Sequence, residues 1–452
     1  MKKWAGRRLS GLTPAQFIIV CYLAATVVST LLLMLPISLK PGVRLSPMDA
    51  LFTAASGISV TGLTVVSTAD TFSTFGTFVL MAILQFGGIG IMTLGTFLYI
   101  ILGRSITLTH RRLIMLDQNR YNLAGLVQLM QAVLMLALMF EAVGTVILGI
   151  YFRLAGYTEG WVHSFYVGLF HSVSSYTNAG FDLFGDSMKS FSDDYFVQAI
   201  TMLLLFLGAI GFPVLIEFRE YLIRRKGFRF SLYTKVTVSM FLILIVAGAA
   251  GIWIIESSVS FVGMAWHEKL FYSLFNSVST RSGGLATMDV TEFATPTQFL
   301  LSILMFIGAS PSSVGGGIRT TTFAVILLTL FTYALGRNEV RVFKRSIGQD
   351  DVTKSFVVFS AGTMLVIGSI MVLDALERQH FSLNKIIFEI CSAFGTSGLS
   401  TGITSELSNP GKLLIALLMF IGRIGILILL YMFRSKKPKE KYRYPKEDLI
   451  IG

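Results

Sequence analysis

SVTGLTV at residues 59–65, YTNAGFD at 176–182, TRSGGLA at 280–286 and FGTSGLS at 394–400 are four versions of one short turn, and their recurrence decides the fold. Aligned on the shared glycine, Gly62, Gly180, Gly284 and Gly398 are equivalent and lie 118, 104 and 114 residues apart. A second signature follows each turn: FGGIG from Phe86, FLGAIG from Phe206, FIGASP from Phe306 and FIGRIG from Phe420. Its glycines, Gly87, Gly208, Gly308 and Gly422, stand 25, 28, 24 and 24 residues beyond the turn glycines. Two landmarks at matched offsets in four copies define an internal repeat.

The chain between these landmarks is apolar. Of 452 residues, 54% are hydrophobic and 14% charged, against about 45–50% and about 25% in soluble domains. With a mean hydropathy of +0.72 the sequence reads as an integral membrane protein, and no polar stretch is long enough for a soluble catalytic domain. The apolar run at 14–35 follows Lys2, Lys3, Arg7 and Arg8 without a cleavage signature and reads as a retained first helix. Cys21 and Cys391 have no metal-like spacing and read as small buried hydrophobes.

In each repeat the segment before the turn (47–58, 164–175, 268–279, 383–393) is 11 or 12 residues long. That is too short to span about 30 Å at 1.5 Å per residue, and non-helical backbone at membrane depth survives only against protein or water. The expected fold is therefore an all-α membrane protein with four helix, pore-loop, helix repeats: eight spanning helices and four half-length pore helices around one pseudo-four-fold pore. The boundaries are a cytoplasmic N-terminus at 1–13, repeats at 14–102, 124–218, 236–335 and 355–433, and a cytoplasmic tail at 434–452.

Charge orients this arrangement. The ends and inter-repeat loops carry 26 basic and 8 acidic residues, among them Arg104, Arg111, Arg112 and Arg120. The opposite side carries 9 basic and 15 acidic residues, so the first side is cytoplasmic by the positive-inside rule. The turns then face outward, and the acidic excess there concentrates cations; Asp182, just after the second turn, reads as a loop carboxylate at that mouth. At the turns no Asp or Glu ring forms, so selection falls to backbone carbonyls replacing a hydration shell. Each pore helix also aims about half a negative charge at the centre. A cation is the expected cargo.

The four turns, the GASPSSVGGGIRTTT stretch from Gly308 and the closing FIGRIG motif resemble, in order and over essentially the whole chain, the Ktr/Trk/HKT superfamily of potassium transporters, most closely the bacterial Ktr membrane subunit. The resemblance implies that Val60, Thr61, Gly62, Asn178, Ala179, Gly180, Ser282, Gly283, Gly284, Thr396, Ser397 and Gly398 line one selectivity filter. Glycine at all four turns implies potassium, whereas a Ser at the first is associated with sodium preference. Ser282, Gly283 and Leu285 stand where the family commonly has Thr, Ala and Phe, and Ser397 where Val is frequent; changed affinity or coupling is expected from this. The resemblance also implies a homodimer, a cytosolic nucleotide-binding regulatory ring as partner, and sodium as a second ion to test.

The second helix of the third repeat is expected to break, because 308–319 contains Ser310, Pro311, Ser312, Ser313 and the run Gly315, Gly316, Gly317. Only this repeat is expected to carry such a break. It reads as a flexible plug below the filter, and in the family the matching stretch is an intramembrane gate. Arg423 stands at helix centre, where an isolated arginine costs about 2.5–3.5 kcal/mol, and is expected to contact carbonyls or hydroxyls of the 310–317 loop as part of the gate. Glu141 reads as a hydrogen-bonded helix-packing residue.

No P-loop or dinucleotide fingerprint is present, so no nucleotide is expected on this chain, and the five histidines are scattered rather than gathered into an active site. Neither an enzyme nor nucleic-acid binding is expected; the basic tail suits anionic membrane lipid. The competing reading is a secondary transporter of a small organic solute, which predicts inverted repeats and one pair of broken helices.

Overall fold

The computed structural model describes residues 13–90, 126–224, 227–377 and 380–433, with Pro445 and Glu447. The basic residues of the N-terminus, those between Arg104 and Arg120, Arg225, Lys226, Arg378 and the basic tail from Arg434 lie outside the described residues.

Each repeat opens on a long helix: α1 (Pro14–Leu33), α5 (Leu126–Leu154), α9 (Leu232–Glu256) and α13 (Gln349–Leu376). All four are long and apolar enough to cross a membrane. Their outer faces expose Val27, Met135, Val246, Met364 and similar side chains, a distribution suited to lipid. The starts follow capping rules: Thr13 and Gln16 form a capping box at α1, and the Ser231 hydroxyl accepts from Thr234 N–H at α9.

The half-length helices are α2 (Pro47–Ser59), α6 (Trp161–Tyr176), α10 (Trp266–Ser279) and α14 (Leu383–Gly395). They are 13 to 16 residues long, slightly longer than expected. After the turns come α3 (Thr68–Thr71), α4 (Thr74–Ile89), α7 (Tyr195–Ala209), α11 (Thr295–Ile307) and α15 (Asn409–Ile424). Carboxylates at the ends of the long helices cap two of these: Glu256 accepts from Ala294 N–H at 2.9 Å, and Glu377 from Ser408 N–H at 3.1 Å and its hydroxyl at 2.7 Å. Glu141, in α5, is buried and accepts from Gln85 of α4 at 2.5 Å.

The second helices differ from expectation in being broken in more than the third repeat. α7 turns by 103° into α8 (Phe212–Arg224), and α15 by 95° into α16 (Ile426–Phe433). The third repeat separates α11 from α12 (Thr320–Ala334) by the long loop. The cause is the last residue of the repeated signature. Gly90, Gly211 and Gly425 have φ of 97°, 103° and 89°, a region closed to ordinary helix, and Pro311 occupies the same place in the third copy. A hairpin of β1 (Arg341–Val342) and β2 (Arg345–Ser346), pairing Arg341 with Ser346, joins the third repeat to the fourth.

The long helix and half-length helix of each repeat pack together, and the second helix lies against the half-length helix of the following repeat. α4 packs on α6, α7 on α10, α11 on α14, and α15 returns to α2. The fourth element of this series therefore closes on the first.

Candidate functional site

The closed helix order brings the four turns to one point. Each turn is built alike: the glycine has positive φ (92°, 67°, 70° and 86° at Gly62, Gly180, Gly284 and Gly398), and so does the residue two before it (56°, 54°, 82° and 49° at Val60, Asn178, Ser282 and Thr396). The residue between them does not. Left-handed backbone at a β-branched residue costs about 1–2 kcal/mol, so Val60 and Thr396 hold a conformation that the surroundings impose. Hydrogen bonds supply it: the N–H groups of Thr61, Ala179, Gly283 and Ser397 donate to the carbonyls of Ser56, Ser174, Ser279 and Ser392 at 2.6–2.9 Å.

The serines also divide the turns into two pairs. Ser56 and Ser392 hydroxyls accept from the N–H groups of Gly62 and Gly398, each at 3.1 Å. Ser174 and Ser279 instead donate to the carbonyls of Phe181 and Leu285, at 2.6 and 2.5 Å.

Between turns the contacts run in a circle. A Cβ at Gly62 would lie 2.6 Å from the Ala179 carbonyl, at Gly180 3.3 Å from that of Gly283, at Gly284 3.0 Å from that of Ser397, and at Gly398 2.1 Å from that of Thr61. Each glycine thus faces the carbonyl that precedes the next glycine, and the fourth faces the first. The four glycines also line one cavity of about 590 Å³, whose walls include Asp182, Asp186, Asp289 and Lys189. Asp182 accepts N–H donation from Phe184, Gly185 and Ser187 at 3.0, 2.6 and 3.2 Å; burial raises its pKa against those bonds. Asp289, against the opposing effect of burial, is lowered to about 2 by donation from Thr291 and by Lys189 at 2.9 Å.

The twelve residues expected at the filter are therefore together, and the eight expected at the gate lie behind them. In repeats one, two and four the signature glycine packs on its own half-length helix: a Cβ at Gly87, Gly208 or Gly422 would meet the carbonyl of Ile58, Tyr176 or Phe394 within 2.0–2.5 Å. In the third repeat Gly308 faces the Gly316 carbonyl of the loop instead. The loop is tied to its neighbours by backbone bonds from Ser310 to Ala209, Val314 to Gly208, Gly317 to Gly422 and Phe212 to Ser312, at 2.8–3.3 Å, and by the Tyr233 hydroxyl on the Pro311 carbonyl at 2.7 Å.

Arg423 is buried and donates to the loop carbonyls of Ser313, Val314 and Gly315 and, across the molecule, to those of Gly87 and Gly88. Arg319 donates to Ser310 and Gly315. The two guanidiniums border a small cavity of about 40 Å³ on the far side of the loop. Two buried residues escaped the sequence reading. Arg281, within the third turn, donates to the carbonyls of Leu304 and Gly308, and Glu389 in α14 accepts from Ser400, Thr401 and Thr404 just after the fourth turn. A charged residue inside an apolar helix or within a repeated turn was the available signal for both.

Long lipid-facing helices around four inward turns define a multi-pass membrane protein of the cation-transport class. Residues 8–444 match the family described as TrkH, cation transport protein, and the chain belongs to that family as a Ktr/Trk membrane subunit. It is 52% identical to the Ktr system potassium uptake protein D of Bacillus subtilis over 99% of both chains. It is 31% identical to the potassium/sodium uptake protein NtpJ of Enterococcus hirae over 100% of this chain and 99% of the other. The crystal structure of the potassium transporter TrkH from Vibrio parahaemolyticus shares the fold, with a TM-score of 0.71 at 19% identity, over 93% of this chain and 84% of that one.

Proposed function

We infer that the protein takes up potassium across the cell membrane through a filter of backbone carbonyls supplied by the four turns. The observation that carries this is the closed circle in which every turn glycine faces the next turn's carbonyl. Backbone that alternates between left-handed and ordinary φ turns successive carbonyls the same way, which suits replacement of an ion's water shell. Four helix C-termini converging on the same point add negative potential. The relatives named for potassium uptake support the choice of ion.

On this reading the chain forms four repeats with eight crossings, six of which are matched by the long helices and bent pairs. The acidic cavity is the outer vestibule, and the 310–317 loop, held by Arg423, is the gate. Both termini are cytoplasmic; the subunit pairs as a homodimer, and a cytosolic nucleotide-binding ring regulates the gate from the side where basic loops and tail also meet anionic lipid. No nucleotide binds this chain. Sodium acts as a second ion, in keeping with the name of the Enterococcus relative.

The test is rubidium or potassium uptake in cells without their own potassium uptake systems, with and without sodium, for the wild type and Gly62→Ser. Potassium-selective uptake that relaxes toward sodium in the variant is expected. Absence of potassium flux in cells that express the protein with its cytosolic partner would overturn the reading in favour of an organic-solute transporter.

A further inference from the structure

The third turn is the one that the loop touches most directly. A Cβ at Gly315 would lie 2.3 Å from the Ser282 hydroxyl, and one at Gly316 2.7 Å from the Thr396 side chain. The loop's bonds to the second repeat fall instead on Gly208 and Ala209, in α7 rather than in the turn. Beside this contact stands Arg281, 1% exposed. Its guanidinium reaches the Leu304 carbonyl and, at 3.5 Å, that of Gly308. Those carbonyls close the last turn of α11 and mark the residue at which that helix gives way to the loop. Among the described residues Arg281 forms no salt bridge, and its Nε has no acceptor. A buried charge held only by backbone carbonyls binds the filter turn to the end of the broken helix.

The same turn is also fastened to the fourth. The Ser282 hydroxyl donates to the Gly395 carbonyl at 3.3 Å, and the Ser397 hydroxyl donates back to the Ser279 carbonyl at 3.5 Å. Among the described residues no side-chain hydrogen bond joins the first turn to another: the Thr61 hydroxyl pairs with Ser59 of its own turn at 2.7 Å. The third and fourth turns thus form one unit seated on Gly315 and Gly316, while the first stands on its own half-length helix.

We propose that Arg281 and Ser282 are positioning residues that couple the intramembrane loop to the filter, so that displacement of the loop changes ion preference as well as flow. A planar guanidinium is a stiff link. When Gly308 and the loop move, Arg281 carries the third turn with them, and the paired serines carry the fourth. The proposal rests on the filter and gate reading above.

The experiment is a double-mutant cycle on the ratio of rubidium to sodium uptake in whole cells, with membrane abundance measured alongside. Arg281→Gln, Arg281→Lys and Ser282→Ala are each made in the full chain and again with Arg423→Ala, which releases the loop. Arg281→Gln is expected to lower the ratio about tenfold alone and about twofold or less in the Arg423→Ala background, because residues that act through one hydrogen-bonded segment couple non-additively. Arg281→Lys keeps one donor and restores part of the ratio; Ser282→Ala gives a smaller, likewise loop-dependent, shift. An unchanged ratio at normal abundance, or an equal shift in both backgrounds, overturns the coupling. If Arg281→Gln fails to reach the membrane, the lysine and Ser282 variants decide by the same criterion. A wild type that carries no rubidium defeats the filter reading instead, so the two failures are distinct.

Discussion

The four turns and the loop behind them are built on opposite plans. The turns are four near-copies: the same two positive φ positions, an amide-to-serine-carbonyl bond that spans five residues in three turns and four in the third, and the same glycine against the next carbonyl. Among the described residues the loop exists once, inserted where three other repeats pack a signature glycine directly onto their own half-length helix. On the proposed reading, equivalence suits a place where an ion must exchange its waters for carbonyls in several directions at once, while a gate needs one segment that the rest does not share. The arginines follow the same division, since Arg281, Arg319 and Arg423 all bond backbone in or next to the loop.

The comparison can be broken most severely at the ring. Gly398→Ala places a methyl 2.1 Å from the Thr61 carbonyl at a φ of 86°; each 1.4 kcal/mol of misfit is about a tenfold change, so potassium uptake should fall by about tenfold or more at normal membrane abundance. Near-normal uptake would show that the turns are not close enough to select.

A smaller but opposite effect is expected at the loop. Arg423→Ala removes the donor shared by the loop and the Gly87 and Gly88 carbonyls, so uptake without the cytosolic partner should rise several-fold while folding is kept. Loss of the protein from the membrane would assign Arg423 to structure alone. The two simple breaks sharpen the contrast: a Cβ at Gly425 meets nothing within 4 Å, so Gly425→Ala should cost only the left-handed strain of about 1–2 kcal/mol. A thermal melt should show that cost, with ion preference unchanged.

The smallest effect concerns the vestibule. Asp182 has its pKa raised, so it takes up a proton at a higher pH than Asp289, held near 2. The half-saturating potassium concentration should therefore rise modestly as external pH falls toward the acid range, and Asp182→Asn should flatten that dependence. The Asp289–Lys189 pair works in the other sense: a depressed carboxyl stabilises above its unfolded value near 4, and its contribution fades only as pH falls from about 4 toward 2.

Much of the fold was legible because repetition leaves periodic marks. Gly62, Gly180, Gly284 and Gly398 announced the turns, and Pro311 with three glycines announced the loop. The breaks at Gly211 and Gly425 were missed, since a lone glycine in an apolar run is equally a packing site between helices, and only its φ distinguishes the two. Arg281 was missed for a different reason. Its side chain folds back to carbonyls 23 and 27 residues downstream, a direction no sequence pattern carries.

The ring closes between the two ends of one polypeptide. Gly398 meets Thr61 and Gly62, and Lys412 reaches Asp49 at 2.9 Å across 363 residues. During synthesis the first turn therefore waits, its carbonyls without their last neighbour, until the fourth repeat emerges and inserts. Closure of the ring cannot precede synthesis of the fourth repeat, and contacts of such long sequence separation are slow to find. A chain stopped short of residue 398 would hold three of the four turns and leave the Thr61 carbonyl without the glycine it faces.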